Sequence, residues 1–115
     1  PVSENIAQSR VTRDAFARSV TITRMIMERL KQRTGKLPVY LFCITDKQPY
    51  FDAIKNICEA VGIHFIPDVP QGLNEQEQRK PRSTRAGDGE HLNETGDLIV
   101  AQRIVQTLNK DGVLQ

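Results

Sequence analysis

Residues 39–66, VYLFCITDKQPYFDAIKNICEAVGIHFI, decide the fold class. Residues 39–44 are apolar without alternation. A short, β-rich, unbroken run is the pattern of a strand buried on both faces, as in parallel sheets. Residues 45–48 are polar and turn-forming. Pro49 suits the first position of a helix, where a missing N–H does no harm. Phe51, Ile54, Cys58 and Val61 then repeat at helical spacing, and Gly62 supplies the left-handed stop. Residues 63–66 are a second short apolar run, closed by Pro67. Strand, helix and strand in that order predict a parallel crossover unit.

Upstream, residues 1–10 are polar and weakly patterned and predict a loop or arm. Phe16, Val20, Thr23, Met27 and Leu30 then fall on one helical stripe, which Ala15, Ile22 and Ile26 widen. Thr12 or Asp14 would cap that helix and Gly35 would end it. Downstream, residues 67–90 hold Pro67, Pro70, Pro81, Gly72, Gly87 and Gly89 and few large apolar side chains, which predicts a long loop. A last helix follows His91. Leu98, Ala101, Val105 and Leu108 form its predicted inward stripe, with Ile104 beside it, Asn93 as N-cap and Gly112 as the stop.

The 115 residues suffice for one domain. Sixteen basic against 14 acidic residues leave a net charge of +2, without the basic excess of a dedicated nucleic-acid binder. The longest apolar run, residues 37–44, falls far short of the roughly 20 residues a bilayer needs, so no membrane span is expected. Cys43 and Cys58 are too few for a disulfide scaffold and match no metal spacing, so they read as buried thiols. The chain opens at Pro1 with neither Met nor a signal pattern, and reads as processed or as a piece of something longer. Two strands buried on both faces also need neighbours at their edges. The expected fold is therefore a three-layer α/β/α sandwich with a parallel, flavodoxin-like sheet. Residues 1–115 would be its C-terminal part, incomplete on the N-terminal side. A preceding segment, a second chain or a homo-oligomer would supply the missing strands.

The chemistry concentrates in Gly87-Asp88-Gly89-Glu90-His91-Leu92-Asn93-Glu94-Thr95-Gly96. An Asp three residues before a His, in a glycine-loosened turn, can fold its carboxylate onto the imidazole. Accepting the Nδ1 proton would fix the tautomer and leave Nε2 free as a base. On its own the pair is a weak signal, since both residue types are common in loops, and a turn-capping Asp beside an exposed His is its plainer reading. The longer string resembles the last block of the SGNH (GDSL-type) esterases and lipases, and the preceding order of helix, buried strand, helix and short strand is similar over most of residues 13–112. That resemblance implies a serine ester hydrolase in which His91 is the base and Asp88 its orienter. It also implies the sandwich fold, a small-molecule, glycan or lipid ester as substrate, and no metal or organic cofactor. The family's Gly-Asp-Ser nucleophile motif and its oxyanion-hole residues are absent here. Ser3, Ser9, Ser19 and Ser83 lack that context, so the nucleophile would lie outside this chain.

Other residues take plainer readings. Arg79, Lys80, Arg82 and Arg85 form a basic cluster with no aromatic interleaved for base stacking, which reads as a solvated loop. His64 reads as a buried, hydrogen-bonded strand residue, Asp46 as a turn former, and Tyr50 and Phe51 as packing at a helix start. Two alternatives to the esterase stay open at this level. One is a non-catalytic α/β interaction domain completed by a partner at a strand edge. The other is an acyltransferase on the same framework.

Overall fold

A computed structural model describes residues 2–114, with side chains from Ser9 onward. The element order is α1 (Val2–Thr34), β1 (Tyr40–Phe42), α2 (Tyr50–Val61), β2 (His64–Ile66), α3 (Val69–Arg79) and α4 (Glu94–Lys110).

The crossover unit is present. β1 and β2 pair in parallel, with Tyr40 opposite His64, Leu41 opposite Phe65 and Phe42 opposite Ile66. Gly62 ends α2 in the left-handed conformation at φ 83° and returns its N–H to the Cys58 carbonyl. Pro49 is the residue just before α2 rather than its first turn.

The three-layer sandwich is not what forms. The helices run to 33, 12, 11 and 17 residues, while each strand has three. Among the described residues the sheet is two-stranded, and each strand keeps one open edge. The architecture is a set of four helices around a narrow parallel ribbon. Two further expectations fail. Helix α1 begins at Val2, not after residue 10. Residues 69–79, expected as loop, form α3. Pro70 sits in the first turn of α3, where it costs no hydrogen bond. Gly72 lets α4 approach closely, since a Cβ there would lie 2.8 Å from Arg103 Nε and 3.0 Å from Ile99 Cγ2.

Side chains alternate across the ribbon. Val39, Leu41, Ile63 and Phe65 join Met27 of α1 and Ile57 and Cys58 of α2 in one cluster. Tyr40 and Ile66 join Val69 and Leu73 of α3 and Ile99, Val100 and Ile104 of α4 in another. The pair α1–α2 therefore covers one face and α3–α4 the other. Arg103 on α4 ties the second pair together, reaching Asp68 at 3.1 Å and Glu75 at 3.3 Å. Of the row of α4 expected to face inward, Leu98, Ala101 and Val105 are turned out, while Leu108 is half-buried and Ile104 beside the row packs inward as expected. Ile99 and Val100 pack inward with it. None of the described helices is long and apolar enough to cross a membrane.

Candidate active site

The site is a tight hairpin between α3 and α4. Arg85 and Leu92 form an isolated antiparallel bridge. The Ala86 N–H donates to the His91 carbonyl at 2.7 Å, and the Asn93 N–H donates to the Thr84 carbonyl at 2.9 Å. At the tip, the Gly89 N–H closes onto the Ala86 carbonyl at 2.9 Å with Gly89 at φ 73°, a conformation that favours glycine.

Three anchors hold this hairpin. Leu92 packs into the α3–α4 cluster. Asn93 is the N-cap of α4: its Oδ1 accepts the Gly96 N–H at 2.9 Å, while its Nδ2 donates to the Ser83 and Arg85 carbonyls at 2.8 and 3.2 Å. Glu77 on α3 is the third. Its carboxylate accepts from the Thr84 N–H at 3.1 Å, from the Thr84 hydroxyl, and from the Arg82 N–H at 2.6 Å. Thr84 is fully buried beneath these contacts. Its hydrogen bonds hold the Glu77 carboxyl below the usual carboxylate range. Gly96 permits the close approach, since a Cβ there would stand 2.5 Å from the Thr84 carbonyl oxygen.

The turn brings Asp88 and His91 together. Asp88 Oδ1 accepts the backbone N–H groups of Glu90 at 3.0 Å and His91 at 3.1 Å. Its Oδ2 meets His91 Nδ1 in a short hydrogen bond. That bond first, and the two amides after it, hold the Asp88 carboxyl below its ordinary value. An ionised carboxylate can only accept, so the shared proton belongs on Nδ1 and the lone pair of a neutral ring on Nε2. Nε2 has no hydrogen-bond partner among the described residues, and the His91 side chain is 79% exposed. Chemically the pair is an oriented base with its working nitrogen open to an incoming group.

Two of the serines that could supply a nucleophile are occupied within the fold. Ser83 Oγ is engaged with Gln76, and Ser19 Oγ bonds back along α1 to the Ala15 carbonyl. A cleft of about 430 Å³ beside the hairpin is lined by Glu77, Arg82, Arg85, Ala86, Gly87 and Gly89. Two arginines of the basic cluster thus border the site, and the Arg85 guanidinium donates to the Glu90 carbonyl at 2.8 Å. A larger cleft of about 470 Å³ lies near Tyr40, His64 and Asp111. His64 is exposed there and stacks on Tyr40 with centroids 4.8 Å apart, so it is not the buried residue expected. Asp46 accepts from Asn74 at 3.3 Å, Tyr50 meets Phe16 edge-on, and Phe51 meets Phe65. Among the described residues no group of three or more His, Cys, Asp or Glu could hold a metal ion.

Glu77, Thr84 and Gly96 position the site, yet the sequence singles out only Gly96, through the resemblance. Glu77 and Thr84 meet across the turn after α3, and no short motif marks such a pair. No family model, curated protein or solved structure matches the chain.

Proposed function

We propose that this chain carries the acid–base half of a serine ester hydrolase of the SGNH type. His91 takes the proton of a serine hydroxyl as that oxygen attacks an acyl carbonyl, then returns it to the leaving alcohol. Asp88 keeps Nδ1 protonated and steadies the imidazolium that forms. The serine and the oxyanion hole come from residues outside these 115, and the substrate is a small-molecule, glycan or lipid ester. One observation carries this reading: Asp88 Oδ2 on His91 Nδ1, with Nε2 unpartnered and facing solvent. The Asp88 contacts to two backbone amides add to it, because they fix the carboxylate before any substrate arrives. An acyltransferase would use the same pair with an alcohol in place of water.

The test is turnover of p-nitrophenyl acetate by a form that includes the serine-bearing segment. His91→Ala is expected to lower kcat about 10³- to 10⁵-fold, and Asp88→Asn somewhat less, as loss of a base or its orienter does in serine hydrolases. Unchanged turnover in His91→Ala would remove the imidazole from the chemistry. A second reading, a non-catalytic interaction domain, draws on a different observation: the open edge of β1 beside exposed apolar side chains. Under that reading neither substitution alters any activity.

A further inference from the structure

The cleft of about 430 Å³ beside the hairpin has three charged side chains in its wall, Glu77, Arg82 and Arg85. Their states differ. Glu77 is already engaged, its two oxygens accepting the Thr84 N–H and hydroxyl and the Arg82 N–H. Arg85 is half-buried and donates from Nη1 to the Glu90 carbonyl, which leaves Nη2 and Nε without a hydrogen-bond partner among the described residues. The Arg82 guanidinium has neither a hydrogen-bond nor an ion-pair partner among the described residues; only its backbone is bound. Gly87, also in the wall, has no partner for its N–H among them. Two cations with unpaired donors thus face one carboxylate whose oxygens are taken, and neither Asp88 nor Glu90 lines the cleft. A second observation concerns the backbone. Among the described residues Arg82 alone of the non-glycine residues has a positive φ, 63°. An L side chain rarely adopts that conformation, and it persists where surrounding contacts impose it. Here the Glu77 carboxylate imposes it by holding the Arg82 N–H at 2.6 Å. Glycine or asparagine would take this shape with less strain, and neither would put a cation on the cleft wall.

We propose that this cleft is an anion subsite, and that the ester attacked beside His91 carries a carboxylate or phosphate group which the cleft binds. The assignment of substrate class rests on the esterase reading; the anion site stands without it. A guanidinium presents paired N–H donors that match two oxygens of a carboxylate or phosphate, and charge-assisted bonds of this kind are strong. Arg82 supplies that fork, and the free donors of Arg85 and the Gly87 N–H add to it. Glu77 opposes an anion by its charge, but its oxygens stay turned to Thr84 and the Arg82 N–H. The spacing suits one small substrate. Gly89 in the cleft wall is two residues from His91, so their Cα atoms lie within about 7 Å of each other. An ester whose charged group sits a few bonds from the acyl carbonyl spans that gap, as a half-ester of a dicarboxylic acid or an acylated sugar phosphate does. A neutral ester would leave both arginines without a counter-charge.

Titration of the 115-residue chain with monomethyl succinate, inorganic phosphate and neutral dimethyl succinate, followed by amide and arginine Nε chemical shifts, reads the site without any nucleophile. Monomethyl succinate or phosphate is expected to shift Gly87, Gly89 and the Arg82 Nε–H to saturation while dimethyl succinate does nothing, and the tighter of the two anions identifies the charged group. Arg82→Gln keeps the backbone bond to Glu77 and is expected to raise that dissociation constant on the order of tenfold. An equal response to dimethyl succinate, shifts confined to the His91 ring, or binding unchanged in Arg82→Gln overturns the anion site. If that variant unfolds, the unaltered chain still decides: added salt must weaken the binding, and salt-independent shifts count against an ionic contact. In a form that includes the serine-bearing segment, the ratio of kcat/KM for mono-p-nitrophenyl succinate over p-nitrophenyl acetate is expected to fall on the order of tenfold in Arg82→Gln. Hydrolysis of both esters with a ratio indifferent to Arg82 refutes the substrate class alone. Hydrolysis of neither, with the anion still bound, refutes the esterase reading and the substrate class with it, and leaves the anion site supported.

Discussion

At the scale of single residues, the hairpin is held by contacts that leave little room for substitution. Gly96 lies where α4 starts beneath the Thr84 carbonyl, and an added methyl would stand 2.5 Å from that oxygen. Backbone on one side and helix on the other cannot easily give way. Gly96→Ala is therefore expected to lower stability by about 1–3 kcal/mol, although alanine is the better helix former. Asn93→Ala removes the cap of α4 and two further hydrogen bonds, to Ser83 and Arg85, and should cost about 1–2 kcal/mol. Chemical denaturation checks both, and neutral values would mean that the hairpin is not clamped to α4. The Asp88–His91 pair was legible in the sequence because its geometry is local, a carboxylate three residues before a ring in a turn that Gly89 closes. The Glu77–Thr84 clamp was not, because it joins two elements whose relative placement only tertiary packing decides.

At the scale of elements, legibility follows the same division. Periodicity found the crossover unit, since Gly62 and the apolar runs on each side of α2 are local signals. It missed α3 because Pro70 and Gly72 read as breakers. The proline falls in the first turn, and the glycine is there to admit Arg103 of α4. It also chose the wrong row of α4. That helix carries two apolar rows, and the row of Ile99, Val100 and Ile104, beside the ion pairs of Arg103 with Asp68 and Glu75, is the one that packs inward. The junction between α3 and the hairpin has a pH signature. Glu77 and Asp88 both titrate below their ordinary range in the folded chain, Glu77 chiefly through Thr84 and Asp88 chiefly through His91. A depressed carboxyl stabilises the fold above its unfolded pKa, about 4, and loses that contribution as pH falls through the lower folded value. Thermal stability should therefore be level from about pH 7 down to 5 on account of these two groups and fall below about 4. Glu77→Gln should flatten the acid limb of the melting-temperature profile. An identical limb in the variant would show that this carboxylate is not coupled to folding.

At the scale of the molecule, the two faces of the ribbon carry separate cores. Met27, Ile57, Cys58 and Ile63 make one, and Ile66, Val69 and Leu73 make the other. The clusters share no residue and lie on opposite faces of a ribbon of three residues per strand. The chain is correspondingly extended, with a radius of gyration of 17.3 Å, where a compact domain of this length has about 13 Å. Its dimensions are 57 × 41 × 19 Å. Small truncations then have predictable coupling. Ile57→Val and Ile66→Val each delete one buried methylene and should each cost about 0.5–1.5 kcal/mol. Because they act in different clusters, the double variant should lose the sum to within about 0.5 kcal/mol. Ile66→Val and Val69→Ala lie in the same cluster, where a shared void lets neighbours relax into both deletions, so their combined loss should depart from the sum. Urea unfolding of the single and double variants reads all three quantities at once. A large coupling energy between Ile57 and Ile66 would mean that the two faces respond as one core, with packing strain passing straight through the ribbon.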